Sequence, residues 1–120
     1  MAEASNVQPP VVGKMYSHTY EDDGWHSASA HEYAFESGNE CVWNDVDEKT
    51  TDHFGSDMVV EKVRKSEWGS FVWQEGHLHV TVGSTKTVFS IVQQGDEVTE
   101  IIDVESKKVY RKHTRRNDWD

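Results

Sequence analysis

Trp68-Gly69-Ser70-Phe71-Val72-Trp73-Gln74-Glu75-Gly76-His77-Leu78-His79-Val80-Thr81-Val82-Gly83 is the stretch on which the fold turns. Its two halves alternate about Gly76. In the first, Phe71, Trp73 and Glu75 fall on one side and Trp68, Ser70, Val72 and Gln74 on the other. In the second, Leu78, Val80 and Val82 alternate with His77, His79 and Thr81. Period-two alternation rich in aromatic and β-branched residues is the pattern of a strand with one buried face. A short glycine turn between two such runs pairs them antiparallel.

Working outward, the same period continues in both directions, and no stretch has helical periodicity. Strands are expected at 13–21, 25–36, 40–46, 57–66, 68–75, 77–83, 86–94, 97–104 and 107–113, about nine in all. Asp22-Asp23-Gly24, Ser37-Gly38-Asn39, Gly83-Ser84 and Gly95-Asp96 supply turn chemistry between them. Residues 47–56 are polar apart from Phe54 and read as a loop over one mouth of the fold. Sequential short strands with one apolar face stack as a sandwich or close as an up-and-down barrel, and closure removes exposed edges. The fold class expected is therefore all-β, an antiparallel up-and-down barrel occupying 12–114. Residues 1–11, which end in Pro9-Pro10, read as a flexible leader, and 115–120 as a C-terminal tail.

The chain has 120 residues, enough for one domain. Only 35% of them are hydrophobic, but five Trp, four Tyr and four Phe let few positions bury large areas. A formal charge of −10 opposes a phosphate backbone, so nucleic acid is not an expected partner. Lys107, Lys108, Arg111, Lys112, Arg115 and Arg116 gather half of the twelve basic residues near the C-terminus. They read either as a solvated last strand and tail or as a docking site for an acidic partner. A lone cysteine, Cys41, allows no internal disulfide and fits a reducing cytoplasm. No signal peptide and no apolar run of spanning length is visible, so no membrane association is expected.

Parity nominates interior residues. Tyr16, His18 and Tyr20 share a face of the first strand, and Tyr33 lies with Trp25, His31 and Phe35 on one face of the second. Glu75 is the acid of most interest, because a carboxylate aligned with Phe71 and Trp73 is held in apolar surroundings that raise its pKa. The competing reading ends the strand at Gly76 and leaves Glu75 at a solvated rim. His77 and His79 have the spacing to chelate a metal if a third ligand approaches, but Leu78, Val80 and Val82 form the better buried set, which turns the histidines outward. Phe89, Ile91, Val98 and Ile101 or Ile102 read as ordinary core. Cys41 reads as a packed thiol beside Trp43 and Asp45. Phosphate loops, nucleophile elbows and His-Glu-x-x-His patterns are missing from the sequence.

The opening run Gly13-Lys14-Met15-Tyr16-Ser17-His18-Thr19-Tyr20-Glu21-Asp22-Asp23-Gly24-Trp25 resembles the start of the phenolic acid decarboxylases and of MoaF-like proteins. Phe71-Val72-Trp73-Gln74-Glu75-Gly76 is similar to their Trp-x-Glu strand, and Asp103-Val104-Glu105-Ser106-Lys107-Lys108-Val109-Tyr110 to a hairpin of MoaF-like chains. The resemblance implies a calycin, that is lipocalin-like, barrel with a ligand inside, and a homodimer as an acceptable assembly. It also implies that Tyr20 and Glu75 stand where the decarboxylases hold two of their substrate contacts, with His18 in place of a second tyrosine. The family's arginine has no counterpart near 52–57, although Arg64 or Arg111 offers charge from another strand, and the longer C-terminal part of the decarboxylases is missing.

Two functions follow as expectations. One is a binding barrel that encloses a small, largely apolar or aromatic molecule contacted by Tyr16, His18, Tyr20, Tyr33, Phe71, Trp73 and Glu75, with no metal or organic cofactor required. The other is a cofactor-independent lyase or isomerase for a phenolic or polyketide-like acid, with Glu75 as proton donor and Tyr20 or His18 as its partner. A weaker third makes the basic end a protein-docking module.

Overall fold

A computed structural model describes residues 9–22, 27–53 and 56–114, with only the backbone described at 51–53 and 56–58. Eight strands run in chain order: β1 (Met15–Asp22), β2 (Ser27–Glu36), β3 (Glu40–His53), β4 (Ser56–Gln74), β5 (His77–Val82), β6 (Thr85–Gln94), β7 (Glu97–Asp103) and β8 (Val109–His113). Each pairs antiparallel with the next, and β8 returns to β1, so the sheet closes into an up-and-down barrel. Among the described residues no helix is long and apolar enough to cross a membrane.

The expected strands at 57–66 and 68–75 are one continuous strand, because Glu67-Trp68 offers no turn chemistry and β4 keeps its pairing with β3 throughout. The expected loop at 47–56 is a correction too. Asp47 to His53 extends β3 and pairs with Lys62 to Ser56 of β4; Asp47 to Lys49 pair with β2 as well, and from Thr50 and Val59 outward the two strands run on as a two-stranded arm. Pairing between the two backbones carries the polar sequence of 47–53 as a strand. Phe54, proposed within that loop, lies outside the described residues, as do residues 1–8 of the expected leader, Trp25, and the tail at 115–120. The leader boundary also shifts, since Val11 is fully buried in the core and the Gly13 N–H donates to the Phe35 carbonyl at 2.7 Å.

Register sorts the two faces. Tyr16 pairs with Tyr33 and with Lys112, and Tyr110 shares the parity of Lys112, so Tyr16, Tyr33, Phe35 and Tyr110 point into the barrel. With Val11, Cys41, Phe71, Leu78, Val80, Phe89, Val98 and Ile101 they make one core. Tyr16 sits 6.0 Å from Phe35, and Phe35 meets Phe71 edge-on at 4.9 Å, a preferred arrangement of aromatic quadrupoles. Gly69 lets the sheet coil tightly here. A Cβ at that position would lie 2.1 Å from the Thr81 carbonyl oxygen.

Ser17, Ala30, Glu32, Val46, Glu48, Glu61, Arg111 and His113 occupy the opposite parity, on the outer face. There the β3–β4 arm bends past a bulge after Asp45 and brings Glu61 to within 3.0 Å of His113 on β8. The barrel interior and an outer cleft under the arm are thus concave surfaces on opposite sides of the sheet.

Candidate functional site

The barrel interior is not filled throughout. A cavity of about 300 Å³ is bordered by the inward-facing His31, Tyr33, Trp43, Val80, Val82 and Tyr110, with Glu67, Thr85 and Thr87 at its edge. Glu67 and Thr85 are exposed, so the cavity opens to solvent on their side. Tyr33 and Tyr110 form its aromatic wall, with ring centroids 5.4 Å apart and both edge-on to Phe89. Burial raises the pKa of both phenols, so each remains a neutral hydroxyl near neutral pH.

Above that wall stands a polar cluster assembled by two β-bulges. Register slips at Tyr20 on β1 and at Arg64 on β4, leaving each as the unpaired residue of its strand. A bulge re-aims its side chain, and here the two meet. Arg64 Nη2 donates to the Tyr20 hydroxyl at 2.9 Å and to both oxygens of Asp45 at 3.1 Å, while its Nη1 lies 3.3 Å from Asp47. The Tyr20 hydroxyl donates to Asp45 at 3.1 Å. These partners hold the guanidinium in its charged form, chiefly through the Asp45 hydrogen bond. His31 lies between Tyr20 and Trp43, with centroids at 4.3 and 5.0 Å, and burial lowers its pKa despite Asp45 at 3.8 Å. At neutral pH the imidazole is therefore uncharged, and it presents an aromatic surface to the cavity.

The residues singled out in the sequence separate into groups. Tyr33 lines the cavity and Tyr20 joins its rim. His18 does not border the aromatic cavity: it borders the outer cleft, its Nδ1 3.0 Å from the Val109 carbonyl oxygen and its ring 5.3 Å from Tyr110. Tyr16 does not reach the cavity: it is fully buried, its hydroxyl donates to the Val98 carbonyl at 2.9 Å, and burial lifts its pKa to about 12. Phe71 is likewise committed to the core, and Trp73 packs against it. Glu75 departs furthest from the interior acid expected. The strand ends at Gln74, Glu75 takes φ 54° and Gly76 φ 80°, and the carboxylate is exposed at the tip of a two-residue turn.

Asp45, Trp43 and His31 are what the sequence reading left out of the site, and Arg64 entered it only as one of two arginines offering charge from another strand. Asp45 and Trp43 share the parity of Cys41, which was a usable signal. Parity could not choose Arg64 over Arg111, because a bulge breaks the alternation by which it would be found. His77 and His79 do not approach a third metal-ligating residue among those described; the His77 ring turns back to the Glu75 carbonyl oxygen at 3.1 Å. Burial pushes the Cys41 thiol up to about 11, in keeping with a packed and unreactive side chain. The basic residues of β8 engage β7, Arg111 with Glu100 at 3.1 Å and Lys112 with Glu97. No protein-family model matches this chain, and neither does any curated protein or solved structure.

Proposed function

We propose that this protein is a binding barrel for one small, uncharged aromatic molecule, held at the open end against Tyr33, Trp43 and Tyr110. The observation that carries the reading is the cavity itself, aromatic on its walls and of a size for one or two rings, at the lower limit of small-molecule sites. Its rim arginine is already matched by Asp45 and Asp47, so a carboxylate or phosphate entering there would meet a neutralised cation. That supports a neutral ligand over an acid. The lyase reading loses its proton donor with Glu75 at an exposed turn, and no cofactor is invoked. The single buried cysteine supports a cytoplasmic setting.

Titration of the full chain with p-cresol and with a hydroxycinnamate separates the two readings. Saturable quenching of tryptophan fluorescence by the phenol, lost in Trp43→Phe and blocked by the cavity-filling Val82→Trp, is the expected result. Binding unaffected by Val82→Trp would place the ligand elsewhere and overturn the proposal. Turnover of the hydroxycinnamate would favour the lyase instead.

A further inference from the structure

We propose that Glu32, Glu61 and His113 form a site for a divalent first-row transition ion in the outer cleft, on the side of the sheet away from the aromatic cavity. The three come from β2, β4 and β8, far apart in sequence, and one ligand atom of each lies within 4.8 Å of the others. Two ligands on a common ion at about 2.1 Å stand roughly 3.0–3.4 Å apart, so rotation of the glutamate side chains completes the set. His113 Nε2 is already 3.0 Å from both oxygens of Glu61.

Burial and charge point the same way. Glu32 and Glu61 are only 1% and 2% exposed, so two carboxylates are gathered with an imidazole at a site shielded from water, where a divalent ion is strongly held. A divalent ion with two carboxylates and a neutral imidazole sums to zero.

The donor set also selects the ion. One imidazole nitrogen with two carboxylates suits zinc, manganese or ferrous iron, whereas an all-oxygen cage would suit calcium or magnesium. Behind the ligands, Asn44 Nδ2 donates to Glu32 at 3.0 Å and Ser66 Oγ donates to the Asn44 carbonyl oxygen at 2.6 Å, which fixes the orientation of that carboxylate as outer partners do in metal sites. In front of them the cleft encloses about 390 Å³ bordered by Ser17, Thr19 and Glu48. Three protein ligands facing open space leave coordination positions for water or a small ligand.

The test uses the full chain, stripped with a chelator and titrated calorimetrically with Zn²⁺ alone. Expected are one ion per chain at micromolar affinity or tighter and a melting temperature raised by about 5–10 °C. Glu61→Gln and His113→Gln should each weaken uptake about 100-fold and Asn44→Ala about 10-fold, whereas His77→Ala with His79→Ala should leave it unchanged. Should the glutamine variants not fold, Co²⁺ added to the unaltered protein gives the answer, with paramagnetic shifts expected on the His113 ring protons. Absence of uptake, uptake that survives both glutamine variants, or Co²⁺ shifts confined to other histidines would overturn the proposal.

Discussion

Where Val11, Tyr16, Phe35, Phe71, Leu78 and Phe89 meet, no side chain is more than 1% exposed and the rings interlock edge to face. Where His31, Trp43 and Val82 stand, the side chains are half-buried and border open volume, although the same closed sheet carries both regions. The difference lies in what each strand presents at a given level. In the filled region the Phe35 ring meets those of Tyr16 and Phe71, and Gly69 draws the strands close. Around the cavity, Thr85, Thr87 and Val82 are too short to span the barrel, and the long side chains of Tyr20 and Arg64 are turned to each other at the rim. One region holds the fold together, and the other is free to receive a ligand.

Truncation tests that contrast most directly. Phe71→Ala should cost about 3–5 kcal/mol, read from urea unfolding, because a buried ring is lost and a cavity left in its place. Trp43→Ala should cost only about 1–2 kcal/mol, since the ring is half-buried beside space that already exists, while phenol affinity falls at least about 10-fold. Equal losses of stability in the two variants would break the comparison. Gly69→Ala comes next, at roughly 2 kcal/mol, because its new methyl must push the Thr81 carbonyl away, and thermal melting would detect it.

Alkaline pH sharpens the same contrast with a smaller effect. Burial raises the pKa of Tyr16, to about 12, and also those of Tyr33 and Tyr110, so above pH 10 the unfolded chain has released protons that the folded one retains. Stability present below pH 10 should therefore decline as pH rises toward 12. Tyrosinate absorbance should appear together with unfolding, and Tyr16→Phe should reduce the slope. Tyrosinate appearing without loss of structure would mean these hydroxyls are not sealed from water.

How much of this was readable in advance varies residue by residue. Parity along 68–83 correctly separated Phe71, Leu78 and Val80 from Ser70, Val72 and His79. For Glu75 parity left an interior acid and a solvated rim both open; the strand stops at Gln74 and one positive φ turns the residue out of the barrel, which is the rim reading. Polarity hid the arm at 47–53, since a hairpin that pairs its own backbone needs no apolar face. Glu32 sat among Ala28, Ala30 and Ala34, small residues that permit close approach of another segment, but nothing adjacent in sequence announces that β4 supplies it.

By itself the sequence determined the all-β class, the order of the strands, most of the core and the separation of faces, because these follow from period-two alternation and turn residues within a few positions of each other. Tertiary structure alone decided that Tyr20 meets Arg64 and that Glu61 reaches His113 across 52 positions. Those contacts depend on bulges and on the coil of the sheet, which arise from the sum of all strand pairings and leave no local trace in the chain.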